Sequence, residues 1–512
     1  MDIHKNTLVY AAYAVFNVMV AKEVNDLVQE PYMDEPFHIP QAQAYCRGEW
    51  DYWDPKLTTP PGLYILSVVL KKVFLFKCTI PILRMNNLLL NLMLPPLISH
   101  CLALYRSDCP PRSLLQPTVE SIAISAFPIA WFFSFLYYTE LGSVVFVLAT
   151  ILAAGRGAHV LAALTGAISC TFRQTNIVWV AYAAAFGILQ DMRQRRIRAQ
   201  VSNNSSEPVL YDPMALDASL SDIPKIFFSV PAILPSLMKT VWPYVVPVAG
   251  FASFVFWNGG IVLGDKSNHV PTLHVPQLFY FVAFASLFGF PVLISTEGGI
   301  ISLVGEVLRR MIGGTRLQGL ILSLESKIDR PSFTSQPIYH QRCLNGTHYD
   351  ICTLVHSNIA TPLHSIQHPF LLADNRHYAF YIWRRVYLAH WFVPYLLAPL
   401  YLACAWAWFI RAGRVAFYCV RAASAEFNFC TPGKHQTLLQ TILLPICLLP
   451  TLLPTPLIEP RYFLIPYIIL RLQTRIPNGA VISEAVWYGF INWVSMFVFL
   501  YMEREGVGRF MW

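Results

Sequence analysis

The chain has 512 residues, 55% of them hydrophobic and 14% aromatic, with only 13% charged, and a mean hydropathy of +0.47. A soluble protein would carry about 25% charged residues, so a soluble globular enzyme is excluded and a polytopic membrane protein is implied. The net charge of +8 is no nucleic-acid signal, because its Lys and Arg sit mostly in short loops, where they set orientation.

Apolar runs of about 20 residues argue for membrane helices rather than a barrel. In chain order the predicted helices cover roughly 7–22, 61–76, 81–105, 118–138, 141–155, 158–189, 240–263, 276–297, 386–410, 437–458, 462–473 and 483–502. The opening MDIHKNTLVYAAYAVFNVMVA has Lys5 before its apolar run and no clear small-residue cleavage site, so it reads as an uncleaved first helix. Residues 1–189 form an N-terminal transmembrane module. Arg193, Arg195, Arg196 and Arg198 mark 190–239 as a cytosolic basic linker. Counting back through six crossings puts the N-terminus in the cytosol and the 23–60 loop on the far side. Lys71 and Lys72 then fall at the cytosolic end of the second helix. The 200–222 stretch reads as a flexible linker, with sequons at Asn203 and Asn204 on the cytosolic side. A transmembrane pair follows over 240–297. Residues 298–369 are atypically polar: the apolar patches at 300–308 and 318–324 are too short to span, and Asn345-Gly346-Thr347 is a further sequon. Residues 370–512 form a C-terminal transmembrane module. No internal repeat is visible.

Polar residues crowd at a few places. Between Glu30 and Gly62, Asp34 and Glu35 are adjacent acids. Such a pair can divide labour, one accepting a proton while the other binds substrate or sets its neighbour's pKa. The alternative is a solvated pair. His38 and Gln41 add donors and acceptors. Trp50 and Trp53 offer faces that stack on sugars or anchor at the interface, and Asp54-Pro55 stiffens the return into the next helix. Arg173-Gln174-Thr175-Asn176 interrupts an apolar stretch. An Arg there needs an anion or a buried acid such as Glu140. Asp374-Asn375-Arg376-His377 and Arg384-Arg385 form a second cluster, suited to phosphate or simply flanking the 386–410 helix. Glu459-Pro460-Arg461 is a third, with Arg461 either an anion ligand or a snorkelling cation. The eleven Cys show no CxxC and no readable disulfide framework, and Cys101, Cys170, Cys404 and Cys447 fit the core. His340, Cys343, His348, Cys352, His356, His364 and His368 look metal-like by composition but match no zinc spacing.

The segments PYMDEPFHIPQAQAYC, WDPKLTTPPGLY, FRQTNIVWV, LLADNRHYAFYIWRR and RYFLIPY, with RFMW after them, resemble the endoplasmic-reticulum α-1,2-glucosyltransferases that use dolichyl-phosphate glucose. The resemblance spans nearly the whole chain in order. It implies an all-α polytopic membrane protein, GT-C-like, with about 11–13 transmembrane helices and a lumenal first loop that carries the base. It implies a multi-pass endoplasmic-reticulum enzyme with a lumenal active site. The implied reaction moves glucose from dolichyl-phosphate glucose to the 2-hydroxyl of the terminal glucose on the diglucosylated dolichyl-diphosphate oligosaccharide, the third and last glucose of the N-glycan precursor. Those two lipids and the bilayer are the implied partners, with no nucleic acid. No cofactor is implied, and the lack of a nucleotide-binding or DxD motif makes metal independence the expectation.

A β-linked donor and an α-linked product require inversion. One base and cations for the leaving phosphate then suffice. Asp34 is the expected base with Glu35 orienting substrate, or the reverse. Arg376 and Arg461 are preferred over Arg384 and Arg385 as phosphate ligands, and Arg173 either binds substrate or braces the fold. Trp50 and Trp53 are expected to stack on acceptor sugars. Residues 298–369 depart from the resemblance, since the family is expected to cross the membrane there. The rival readings are a sister transferase using another lipid-phosphosugar, and a transporter, whose related halves are not detectable.

Overall fold

A computed structural model describes residues 2–106, 116–201, 210–219, 221–266, 271–295, 299–313, 371–372, 374–413, 436–455 and 457–512. The sequons at Asn203, Asn204 and Asn345, the 318–324 patch and the His/Cys set of 340–368 lie outside these residues. Among the described residues the protein is all helix, with isolated bridges and no extended strand. Five of its helices are long and apolar enough to cross a membrane, and four shorter apolar helices accompany them, so this is a multi-pass membrane protein.

The N-terminal half is the better packed. Helix α1 (Asp2–Leu27) is followed by two short helices, α2 (Glu35–Arg47) and α3 (Gly62–Phe74). Next come α4 (Ile80–Tyr105), α5 (Val119–Ser125), α6 (Pro128–Phe133), α7 (Glu140–Gly155), α8 (His159–Phe172) and α9 (Asn176–Val201). Their shared core holds Phe127, Phe132, Tyr138, Leu141 and Trp179, all at most 2% exposed.

Three sequence expectations change here. The 61–76 run is not a crossing. At 13 residues, α3 rises only about 20 Å, against about 30 Å of hydrocarbon. A disulfide joins Cys46 at the end of α2 to Cys78 just beyond α3, with Cα atoms 6.5 Å apart. Gln43 Nε2 donates to the Cys78 carbonyl at 3.1 Å, and Lys71 reaches the Cys46 carbonyl. The far end of α3 therefore returns to α2, and the two helices form a hairpin on one side. One face of α3 buries Leu63, Tyr64 and Val68 against α2 and the end of α8, while Ile65, Val69, Val73 and Phe74 are exposed on the other.

The 158–189 run is two helices, α8 and α9, with the chain extended at Arg173 between them. A single helix of that length would rise about 48 Å, longer than a bilayer core. The 118–138 run is broken into α5 and α6, Pro128 opening the second.

The disulfide is one that the cysteine spacings did not make readable. Its two cysteines lie 32 residues apart. Closing such a loop stabilises by about 3–4 kcal/mol in the chain-entropy account. Cys46→Ser is expected to lower the thermal midpoint, and a reductant is expected to reproduce the shift in the wild type and not in the variant.

The second half opens with α10 (Asp222–Asn258), which starts inside the stretch read as linker and carries four internal prolines. The 210–219 segment is not a free linker. It bridges at Met214 to Thr437, and Asp212 accepts from the Leu439 N–H. Then come α11 (Pro276–Phe288), α12 (Phe290–Ile294) and α13 (Gly299–Gly313). The 300–308 patch thus belongs to α13, whose Leu303 and Val307 pack on Trp406 and Ile410. Helix α14 (Tyr378–Ile382) runs into a π-turn at Trp383–Tyr387, and α15 spans Val393–Gly413. Helix α16 (Leu438–Leu452) precedes a 3-10 turn at Pro460–Phe463, α17 (Leu464–Leu472) and α18 (Asn478–Tyr501).

Candidate active site

The adjacent acids point to different places. Asp34 is the N-cap residue of α2 and Glu35 its first helical residue, so successive side chains leave the helix start in divergent directions. Glu35 is fully buried. Its Oε1 accepts from Arg84 Nε at 2.9 Å and the Tyr137 N–H at 2.7 Å. Its Oε2 accepts from Arg84 Nη2 at 2.6 Å and the Tyr32 N–H at 3.0 Å. Arg84, itself 2% exposed, also donates to the Val28 and Glu30 carbonyls. Both Glu35 oxygens are thus used in tying α1, α2, α4 and the 137 turn together. Removing one partner of such a buried pair strands the other charge, at about 3–5 kcal/mol. Glu35→Gln is therefore expected to lower the unfolding midpoint sharply. A normal melt with a raised KM would instead make Glu35 a substrate ligand.

Asp34 faces outward, with its side chain 44% exposed. Its Oδ2 accepts from Arg461 Nη1 at 2.9 Å. Among the described residues Oδ1 accepts no hydrogen bond. The Asp34 N–H donates to the Tyr138 hydroxyl at 3.0 Å. Burial alone would raise the carboxyl's pKa. Arg461, then His38 and, more weakly, His377 outweigh that and hold it below the usual carboxylate range. His38 is buried, with Nδ1 2.7 Å from the Tyr64 hydroxyl. Burial pushes its imidazole below the ordinary value despite nearby Asp34 and Glu140, so His38 is neutral near pH 7.

Arg461 sits at the centre of the cluster. Its guanidinium lies 2.9 Å from Asp34, 3.0 Å from Glu459 and 3.6 Å from Glu140. The Phe133 and Tyr138 rings flank it at 5.7 and 5.8 Å. Glu140 opens α7 and pairs with Arg173 at 2.5 Å, and Arg173 lies over the Tyr462 ring. The ends of α7, α8 and α9 and the turn before α17 thus converge on the start of α2. Beside them, Arg376 is forked onto Asp374, with Nη2 2.6 Å from Oδ2, and His377 Nδ1 donates to the Trp512 carbonyl at 3.1 Å. Tyr32 bridges this group to the acids, since its hydroxyl meets Arg509 while its N–H meets Glu35.

Other candidates sit elsewhere or are engaged by the protein. Gln41 binds the Tyr52 carbonyl and the Asp54 N–H, and Asp54 accepts from the Lys56 N–H, so the two shape the 52–56 turn. Gln174 donates to the Thr58 carbonyl. Asn176 bonds Ser143 and the Ser169 carbonyl. Trp50 is 53% exposed, and Trp53 packs edge-on to Tyr64. Asn375 lies in the turn between Asp374 and Arg376. Arg384 and Arg385 are exposed over Phe380 and Tyr381, outside the Asp34 cluster. Glu140, Tyr138 and Arg84 are the residues that sequence reasoning undervalued. The signal for Glu140 was a lone acid between the two apolar runs 118–138 and 141–155.

The cluster can do one kind of chemistry well. A half-exposed carboxylate with one open oxygen sits against a guanidinium, so a group able to accept a proton and a cation able to hold an anion lie side by side. Comparison with known proteins gives the family. The family model described as the DIE2/ALG10 family matches residues 28–472. A mouse protein named Dol-P-Glc:Glc(2)Man(9)GlcNAc(2)-PP-Dol alpha-1,2-glucosyltransferase is 32% identical over 506 residues, covering 95% of this chain and 94% of its own. A human protein of the same name is also 32% identical, with the same coverage. An Arabidopsis thaliana protein so named is 30% identical over 96% of both chains. No solved structure matches.

Proposed function

This chain belongs to the DIE2/ALG10 family, and from that premise we propose that it is a dolichyl-phosphate-glucose-dependent α-1,2-glucosyltransferase that adds the last glucose to the diglucosylated dolichyl-diphosphate oligosaccharide. The observation that carries the chemistry is the Asp34–Arg461 pair, a carboxylate with one open oxygen bonded at 2.9 Å to the guanidinium.

The reaction is a single displacement. The acceptor 2-hydroxyl attacks the anomeric carbon of the donor glucose, and its proton passes to Asp34 Oδ1. The bond from that carbon to the phosphate oxygen breaks, and dolichyl phosphate leaves with the electron pair. The departing dolichyl phosphate, a phosphate monoester, leaves as a weak base, so no general acid is required. Arg461 gathers the charge that develops on the phosphate. Asp34 stays ionised at neutral pH, which keeps the base ready without a proton-loss step.

The enzyme works in the endoplasmic-reticulum membrane with this site facing the lumen. Two features support that orientation. The Cys46–Cys78 disulfide lies on the hairpin that carries Asp34, and disulfides persist in oxidising compartments. The basic residues 193–198 stand at the opposite end of α9 from Asn176.

The test uses purified protein in lipid nanodiscs with dolichyl-phosphate glucose and the diglucosylated acceptor. One added glucose in α-1,2 linkage is expected. Equal transfer from dolichyl-phosphate mannose would sink the donor assignment.

A further inference from the structure

Glu140 is placed as no helix-opening acid ordinarily is. A carboxylate in the first turn normally serves the free N–H groups of its own helix. Thr139, the N-cap of α7, makes no side-chain cap bond, and Glu140 does not take up that task either. It reaches sideways instead, its Oε1 2.5 Å from Arg173 and 3.6 Å from Arg461. Its side chain is 2% exposed, and Oε2 is buried with no hydrogen-bond partner among the described residues. A buried carboxylate oxygen without a donor is costly, more so than a neutral group, and such groups are rare enough to need a reason.

The surroundings indicate the missing donor. Arg461 takes the leaving phosphate in the reading above, on which this inference rests, and that phosphate is bonded to the anomeric carbon. Glu140, 3.6 Å from that guanidinium, is therefore close to where the donor sugar would sit. Phe133, Tyr138 and Tyr462 supply aromatic faces around the two arginines. A buried acceptor suits a hexose, whose ring edge is lined with hydroxyl donors. We propose that Glu140 Oε2 accepts a hydrogen bond from a hydroxyl of the donor glucose. As the sugar takes on oxocarbenium character its hydroxyls become stronger donors, so the bond tightens in the transition state, as hydroxyl contacts do in glycoside hydrolysis.

The experiment is a cycle of enzyme and substrate changes. Wild type and Glu140→Gln are assayed with dolichyl-phosphate glucose and with its 2-, 3-, 4- and 6-deoxy analogues. A matching set of acceptors deoxygenated on the terminal glucose runs in parallel. In Glu140→Gln the amide oxygen serves the arginines and an N–H replaces the open acceptor. With native substrates kcat/KM is expected to fall on the order of 10- to 100-fold, as for a hydrogen bond to a charged group. With one deoxy donor, wild type and variant are expected to agree within about threefold. An equal loss across all donors would make Glu140 purely structural and overturn the proposal. Coupling with a deoxy acceptor alone would overturn it too. Glu140→Asp, which keeps the charge on Arg173 but withdraws the oxygen, is read in the same cycle in case the Gln variant does not fold. Full activity in Asp34→Asn would refute the base assignment and leave this coupling independently measurable.

Discussion

Asp34→Asn is expected to lower kcat by about 10²- to 10⁴-fold, the range a positioned general base supplies, while donor affinity changes little. The substitution is nearly isosteric, and Asp34 is not a keystone of the fold. Its side chain is 44% exposed and holds one hydrogen bond, from Arg461. An asparagine oxygen can keep that bond, so Arg461 stays in place and the phosphate site survives. What disappears is the capacity to take the acceptor's proton. Glu35→Gln is the instructive contrast. Glu35 accepts four hydrogen bonds in the interior, so its loss is expected to show first as instability. Donor binding by fluorescence or filter assay, run beside turnover, separates the two variants. An Asp34→Asn enzyme within a few-fold of wild type would remove Asp34 as the base.

Arg461→Gln is the second large effect, on two counts. The leaving phosphate loses its nearest guanidinium, and removing one preorganised charge-stabilising group typically costs on the order of 10²- to 10³-fold. Asp34, Glu140 and Glu459 also lose their shared counter-charge. Two of these acids are part-exposed, so solvent screens part of that loss. Arg461→Lys is expected to recover part of the rate but not all of it, because an ammonium cannot serve Asp34 and Glu459 through a planar fork. If Arg461→Gln kept wild-type turnover of dolichyl-phosphate glucose, the phosphate would have to bind elsewhere, with Arg376 the next cation to test.

The sequence made the acids, Arg461 and the membrane class readable because each is a local signal: charge amid apolar residues. It did not show which acid faces solvent. That depends on Arg84, forty-nine residues beyond Glu35, and on the 137 turn, neither of which a pattern of neighbours reveals. Two of the predicted crossings have a different helical make-up. The apolar run at 61–76 buries one face against protein rather than lipid. The 158–189 run conceals a reversal, marked by Arg173-Gln174-Thr175-Asn176. Those polar residues are the signal that the run ends at a membrane face, where Arg173 meets Glu140. The disulfide was invisible because Cys46 and Cys78 are near in space only after α2 and α3 fold back on each other. The placement of Arg384 and Arg385 was equally illegible: their run resembles an anion site, but a π-turn points them over neighbouring rings outside the cluster.

The pH dependence of kcat/KM tests the link between Asp34 and Arg461 most directly, since it reports the ionisation of the free enzyme. Arg461 is the largest influence holding the Asp34 carboxyl below the usual range against its burial. The wild-type acidic limb should therefore lie below the ordinary Asp pKa of about 3.9, or fall beyond the pH at which the protein survives. Removing the positive charge raises the carboxyl's pKa, so in Arg461→Gln the limb should move to higher pH. An acidic limb at the same pH in both enzymes, well resolved in each, would contradict the account.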